Sequence, residues 1–406
     1  MRRREFLRWS VAAAGAGHLP SPSRADVAGD IIGDITRETI FRGRGGGVTW
    51  FSTRACSVPA GSGARVLMLM AQVTGSDYFG PVHETETADG GKTWSEPRPV
   101  PGMGRRESGD GVEEGSCDFV PEYHAPTRTV LAMGHNVFYR GGKFFREQPP
   151  RCAVYAVRDA AGKWSALRRF PWDDPRGAHI YTSNCAQRVT LPGGDVIVPL
   201  SFCPDGKARS VATLRCAFDG ERLAVKTMGS VLHNPVGRGL LEPSVARVGD
   251  RHFLTLRAED ERGYVSASDD GLSWCPQVPW AWDDGEPIAM STTQQRWLVH
   301  SDQLYLVYTR RTQENQKVMR WRSPLFVALV DRERLCLVRE TERLVFPLVG
   351  DPVNDPQGVA HLGNFHAQAI SAGESWVTAG EVIPKDWTGD VLLARIRWAT
   401  LNRGVQ

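Results

Sequence analysis

Thr87-Ala88-Asp89-Gly90-Gly91-Lys92-Thr93-Trp94 reads as Thr-x-Asp-x-Gly-x-Thr-Trp. An Asp side chain can accept hydrogen bonds from backbone N–H groups just ahead of it, and Gly accepts φ > 0, so the octet encodes a tight turn. The Trp that follows needs a buried place. The flanks, His83 to Thr87 and Trp94 onward, read as strands. The spacing therefore predicts a β-hairpin whose turn is stapled back onto its own strands.

A second octet lies at 267–274, Ala-Ser-Asp-Asp-Gly-Leu-Ser-Trp, with Asp269, Gly271 and Trp274 at the same offsets. Asp159 to Trp164 is a weaker echo that keeps the Asp-to-Trp spacing but not the Gly position. The motif resembles the Asp box (BNR repeat) of sialidases and related β-propellers. In that family the turn sits on the outside of a blade, so the resemblance speaks for fold rather than activity. The turn aspartate recurs at Asp89, Asp159, Asp219, Asp269 and Asp331, at intervals of 50 to 70 residues. Repeats of this size suggest propeller blades. Two apolar strands around a Gly- or Asp-bearing turn also recur. They run from Thr53 to Gln72, Cys117 to His135, Cys185 to Pro199, Glu242 to Arg257, Gln294 to Tyr308 and His366 to Glu381. The expectation is one all-β, six-bladed β-propeller over residues 26–406, with Ile35 to Phe41 adding a strand that closes the ring. Forty-two Gly, 26 Pro and 13 Trp agree with short strands and many turns, and no apolar pattern holds helical spacing for more than a turn or two.

The first 25 residues read as a segment outside this fold. Arg3-Arg4-Glu5-Phe6-Leu7-Arg8 resembles a twin-arginine export motif. The apolar run Val11 to Gly17 and a small-x-Ala site at Ser23-Arg24-Ala25 follow it. The run is too short to span a membrane, and no later stretch is long enough. Residues 1–25 carry a net +4 of the chain's +3, which leaves the remainder near −1. The expected product is a periplasmic or secreted protein that engages the twin-arginine machinery, with no nucleic-acid footprint. The eight cysteines form no CxxC pair and predict neither a structural zinc site nor a disulfide framework. His and acidic residues are too dispersed to argue for a metal, and no cofactor fingerprint is present.

In a propeller the inner strands converge on one end of the central channel, where ligands bind. The repeat Glu242-Pro243-Ser244, Gly249-Asp250, Arg257, Asp269…Trp274 resembles a sialidase blade almost throughout. The resemblance implies Glu242 as the base beside a nucleophile, and Arg257 as one of three arginines that clamp the substrate carboxylate. A planar guanidinium suits that bidentate contact. The alternative is a purely structural Glu242–Arg257 ion pair. By the same resemblance Arg322, at the opening of a third strand, supplies a second arginine, with Arg310 and Arg311 as competitors. Arg54 supplies the third, although the family's Ile-Pro is missing after it. Asp77 then falls where the family's acid/base Asp stands. Aligning Gly249-Asp250 with Gly373-Glu374 sets His366 opposite Glu242, in the place of the family's nucleophilic Tyr, and Glu381 opposite Arg257. Without that Tyr the family's covalent mechanism cannot run unchanged. His366 is then either a base or acid or a polar channel residue. His135 ends a strand at the level of Arg257, and Tyr181 and Gln187 open the third blade on the same side. Such a set suits a carbohydrate: hydroxyls need two-way hydrogen-bond partners, and a sialate or uronate needs Arg.

Three functions follow as expectations. One is an exported sialidase-like glycoside hydrolase on an acidic or decorated glycan. Another is a polysaccharide lyase using His135 with Tyr139 or Tyr181. The last is a glycan-binding propeller without catalysis.

Overall fold

The computed structural model describes residues 30–60, 63–290 and 292–404. The twin-arginine-like segment 1–25 lies outside the described residues. The chain is all β, in a propeller arrangement of sheets. Its described helical pieces are short 3-10 turns, such as Pro175–Gly177 and Met319–Trp321.

The sheets follow one another along the chain. The first is an antiparallel meander of Trp50–Ala60, Gly63–Gly75, Tyr78–Thr87 and Arg98–Pro99. Next comes a 12-stranded sheet made of two antiparallel runs, one around Val112–His124, Thr129–Arg140 and Arg151–Arg158, the other around Val196–Cys203, Ser210–Phe218 and Leu223–Met228. Ile180–Thr182 joins the runs, pairing parallel with Arg151–Arg158 and antiparallel with Val196–Cys203. A sheet of Leu241–Val248, Arg251–Arg257, Gly263–Ser268 and Val278–Pro279 follows, then one built on Arg296–His300, Gln303–Tyr308 and Leu325–Asp331. The last sheet holds His366–Ser371, Glu374–Gly380 and Val391–Trp398. Its outermost strand is Ile32–Phe41, from the other end of the described chain.

The strand patterns follow from this packing. Val196–Cys203 (VIVPLSFC) and Gln303–Tyr308 (QLYLVY) are buried at every position, because a middle strand is covered by a neighbouring sheet on each face. Unbroken apolar runs of this length, bounded by turns, are the mark of such strands. The sheets meet through large side chains: Trp280 packs edge-on to Trp297 with ring centroids 5.9 Å apart, and Tyr305 lies 5.2 Å from Trp398.

The turn octet makes the bonds its sequence calls for. Asp89 accepts from the Thr93 N–H (3.0 Å), the Thr93 hydroxyl (2.7 Å) and the Thr87 hydroxyl (2.8 Å). In the second octet the working residue is Asp270, not Asp269. Asp270 accepts from the N–H groups of Leu272 (2.7 Å) and Ser273 (2.6 Å) and from the hydroxyls of Ser273 and Ser268 (both 2.9 Å). That turn is one residue shorter between its capping hydroxyl and its Trp. The tryptophans reach beyond their own strands: the Trp274 indole donates to Thr213 Oγ1 (2.8 Å) and that of Trp164 to Glu84 Oε2 (2.9 Å). Trp94 packs at a tilt against Trp376 of the last sheet, ring centroids 6.0 Å apart. Each turn thus fastens one sheet to the sheet before it.

A β-bulge recurs near the start of the inner strands, with register shifts between Phe51 and Arg54, Cys117 and Val120, and Leu241 and Ser244. Ser52 (φ 51°), Asp118 (φ 58°) and Glu242 (φ 44°) hold the left-handed conformation there, as do Cys185 (φ 57°) and Asn364 (φ 68°) at the matching places. Bulges re-aim side chains, and strain of this kind collects at functional sites. The bulges also set the repeat register and correct the expected alignment. Ser244 pairs with Thr255 as His366 pairs with Thr378, so Asn364 stands opposite Glu242 and Gly380 opposite Arg257. The slip has two causes: the last hairpin turns at Ala372-Gly373, and its register shifts between Ala369 and Ser371.

Candidate functional site

The bulged strand starts, together with the entrances of several third strands, surround a cavity of about 490 Å³. Asp77, His135, Glu242, Arg257 and Arg322 all line it. These expected site residues, drawn from distant parts of the sequence, are brought together.

Glu242 Oε1 accepts from Arg257 Nη1 at 2.6 Å, while Oε2 is buried without a partner. Burial works against the charged form of Glu242. Arg257's charge and hydrogen bond outweigh it, and the carboxyl sits below its usual range. Asp118, which the sequence reading passed over, occupies the repeat position of Glu242 two repeats earlier. Its Oδ1 accepts from Arg54 Nη2 (3.0 Å) and Ser52 Oγ (3.0 Å). Burial opposes its charge too, but His135, Arg54 and Ser52 hold the carboxyl well below the ordinary range.

Four other expected site residues do not reach the cavity. Arg54 is fully buried beneath it, bonded to Asp118, to Gln294 Oε1 (3.2 Å) and to Cys185 Sγ (3.0 Å). The bulge at Ser52 leaves Ser52 bonded to Asp118 and Arg54 in the buried interior. His366, two residues past its own bulge, is buried there too, with both ring nitrogens unpartnered. Burial, then the charges of Arg296, Arg54 and Arg188, keep it neutral, its pKa far below the usual histidine range. Gln187 is consumed by the Trp297 backbone, accepting from its N–H at 2.6 Å and donating to its C=O at 2.9 Å. Tyr181 faces away from the cavity that its neighbours Ile180 and Thr182 line. Its hydroxyl accepts from Arg169 Nε (2.6 Å) and donates to Phe170 C=O (3.2 Å). Tyr139 is likewise buried, its hydroxyl accepting from the Phe79 N–H. The pairing of His135 with either tyrosine is therefore not assembled, and no tyrosine stands among the described lining residues.

Further arginines were missed. Arg151, Arg209, Arg238 and Arg320 join Arg257 and Arg322 around the cavity. Arg151 opens the third strand of its run, Arg209 immediately precedes Ser210–Phe218, and Arg322 precedes Leu325–Asp331. The rule that selected Arg322 finds Arg151 and Arg209 when applied to every repeat. Arg238 is tied to Glu259 (2.5 Å), whereas no described residue offers Arg322 or Arg209 a carboxylate partner. Burial, then the charges of Arg320 and Arg257, push Arg322 down to about 10. Burial, then Arg151 and Arg238, do the same to Arg209. The cavity holds more positive charge than its own acids neutralise, an arrangement that a bound anion relieves. His361 also lines it; burial, then Arg322, push its pKa to about 4, so it is neutral.

No family model matches this chain, and no curated protein matches it. Solved structures do. A Dyadobacter fermentans protein of unknown function matches at TM-score 0.63 and 12% identity, over 90% of this chain and 100% of that one. Trypanosoma rangeli sialidase in complex with sialic acid matches at 0.60 and 11%, over 90% of this chain and 59% of that one. A Hadza microbial sialidase matches at 0.64 and 12%, over 89% and 68%. The chain thus spans about three fifths of the Trypanosoma enzyme's length. At these identities the likeness is one of fold.

Proposed function

We propose that this chain is an exported glycoside hydrolase of sialidase-like, six-bladed architecture that acts on an acidic glycan of sialate or uronate type. The 12-stranded sheet counts as two blades joined by the parallel Arg151↔Ile180 pairing. The observation that carries the reading is the convergence of Arg151, Arg209 and Arg322 with the Glu242–Arg257 pair on one cavity. Guanidinium groups held without carboxylate partners suit an anionic sugar. Asp77, Asp118 and Glu242 supply carboxylates for acid/base work. With no tyrosine among the described lining residues, attack by water replaces a tyrosyl intermediate.

The test is a screen of the purified protein against sialosides and uronate-containing polysaccharides, with the products identified. Release of a saturated acidic sugar, abolished in Glu242→Gln, is expected. An unsaturated, ultraviolet-absorbing product would make the protein a lyase. Binding without turnover, unchanged in Glu242→Gln, would make it a glycan-binding propeller. No binding of any acidic sugar would sink the reading.

A further inference from the structure

Cys117 and His135 are directly paired across adjacent strands. The bulge that follows Cys117 swings Asp118 to the same side, and all three residues line the cavity wall. Their ligand-type atoms form a small triangle. Cys117 Sγ lies 3.4 Å from His135 Nε2 and 4.0 Å from Asp118 Oδ2, and His135 Nε2 lies 3.6 Å from Asp118 Oδ2. A tetrahedral zinc-class ion with bonds of roughly 2.0–2.3 Å spaces its ligand atoms roughly 3.3–3.8 Å apart. The triangle needs little adjustment to close on such an ion.

The surroundings are arranged for it. His135 Nδ1 lies 2.7 Å from the Asn136 carbonyl. That contact places the ring proton on Nδ1 and leaves the Nε2 lone pair aimed into the triangle, as in metal-ligating histidines. Ser52 and Arg54 donate to Asp118 Oδ1, while Oδ2 faces Cys117 Sγ and His135 Nε2, the other two corners of the triangle. A divalent cation with one thiolate and one carboxylate is a neutral unit, and because Cys117 releases a proton as the ion enters, the arginine-rich cavity gains one positive charge rather than two.

We propose that Cys117, Asp118 and His135 bind one divalent transition-metal ion of the zinc class, with a fourth position open to the cavity. Binding exchanges the Cys117 S–H proton for the metal–sulfur bond, and the proton leaves to solvent. Three protein ligands with an open position are the pattern of reactive rather than structural zinc sites. The site does not depend on the hydrolase reading, because metal binding is measured without turnover.

The test is a titration of the chelator-treated full-length chain with Co²⁺. A thiolate-to-cobalt charge-transfer band should saturate at one ion per chain and disappear on adding Zn²⁺. Cys117→Ser should abolish the band. His135→Gln should weaken binding by more than about 100-fold, since loss of an outer-shell partner alone costs about 10–100-fold. A band that persists in Cys117→Ser places the metal elsewhere, with the exposed Cys275 as its source, and overturns the proposal. So does the lack of any thiolate band in the wild type. Should Cys117→Ser fail to fold, zinc-edge X-ray absorption of the wild-type protein decides. One sulfur with nitrogen and oxygen neighbours supports the site, and a shell without sulfur overturns it.

Discussion

Two side chains show how the cavity sets function against stability. Arg322 is half-buried, has a buried Nε without a partner, and is repelled by Arg320 and Arg257. Its charge is a cost to the empty protein and an asset only when an anion arrives. Arg322→Met is therefore expected to weaken binding of an acidic glycan about 10–100-fold, the worth of about 1.5–3 kcal/mol for hydrogen bonds to a charged group. The same change should leave the melting temperature unchanged or higher, since relieving a desolvated charge is neutral or stabilising. Calorimetry on the ligand and thermal unfolding of the free protein check the two halves, and a drop in both would mean that Arg322 is structural. His361 makes the complementary case. Its folded pKa of about 4 lies below the unfolded value of about 6.5. Between these values the unfolded chain binds the extra proton, so stability falls as pH drops from about 6.5 to 4, by about 3 kcal/mol in all. His361→Asn should remove that share of the slope and leave the part due to His366, which melts of both proteins at pH 7 and pH 5 would reveal. An unaltered slope would assign the effect to other buried histidines such as His366.

The turns are the elements that hold sheet to sheet, and the second one allows a sharp test. Asp270 carries four hydrogen bonds, and its neighbour Asp269, at the offset expected from sequence, does not carry them. Asp270→Ala is expected to cost about 1–2 kcal/mol for bonds at an exposed turn, and Asp269→Ala less than about 0.5 kcal/mol. Denaturant melts of the two variants read the difference, and equal losses would refute the assignment. Gly91 marks the same element where the first sheet meets the last. Its φ is +82°, and a Cβ there would stand 2.7 Å from Arg395 Nη2 and 3.0 Å from the Trp376 ring. Elements of this kind were legible in the sequence because their chemistry is local: an Asp, a Gly and a Trp within eight residues state the turn. The six hairpins were legible for the same reason. The bulges were not. One residue added to a strand leaves the apolar pattern nearly intact, yet it brings Asn364 rather than His366 to the cavity and leaves Arg54 buried beneath it. Asp118 was hidden by the same register, although it stands where Glu242 stands two repeats later.

At the scale of the whole molecule, the propeller is closed by pairing the two ends of the described chain. Ile32–Phe41 runs antiparallel to Val391–Trp398. Arg37 Nε donates to the Val345 carbonyl of the preceding sheet (2.7 Å), and Glu38 bonds Arg395 Nε (2.7 Å). Arg395 in turn donates to the Gly90 carbonyl in the first turn (2.8 Å). The closing strand therefore links three sheets at once. It also covers the edge of Val391–Trp398, which would otherwise present unpaired backbone groups. Ile32 and Ile35 pack against one apolar cluster, Ile40 and Phe41 against its neighbours. At roughly 1 kcal/mol for each half-buried side chain, removal of residues 30–41 should cost on the order of 4 kcal/mol and favour association through the bared edge. Closure by contact rather than by chain order makes a second expectation. The described chain ends near where it starts: the Ala399 N–H donates to the Ile31 carbonyl at 2.9 Å. A circular permutant that joins residue 404 to residue 30 by a short flexible linker, with new ends at the exposed Gly141-Gly142 turn, keeps every pairing of the closing strand. It should melt within a few degrees of the parent and remain monodisperse, while the truncation melts far lower. Should the permutant fall as far as the truncation, the stability of the ring would depend on chain order at Gly141, and closure by the first strand would not be what holds it.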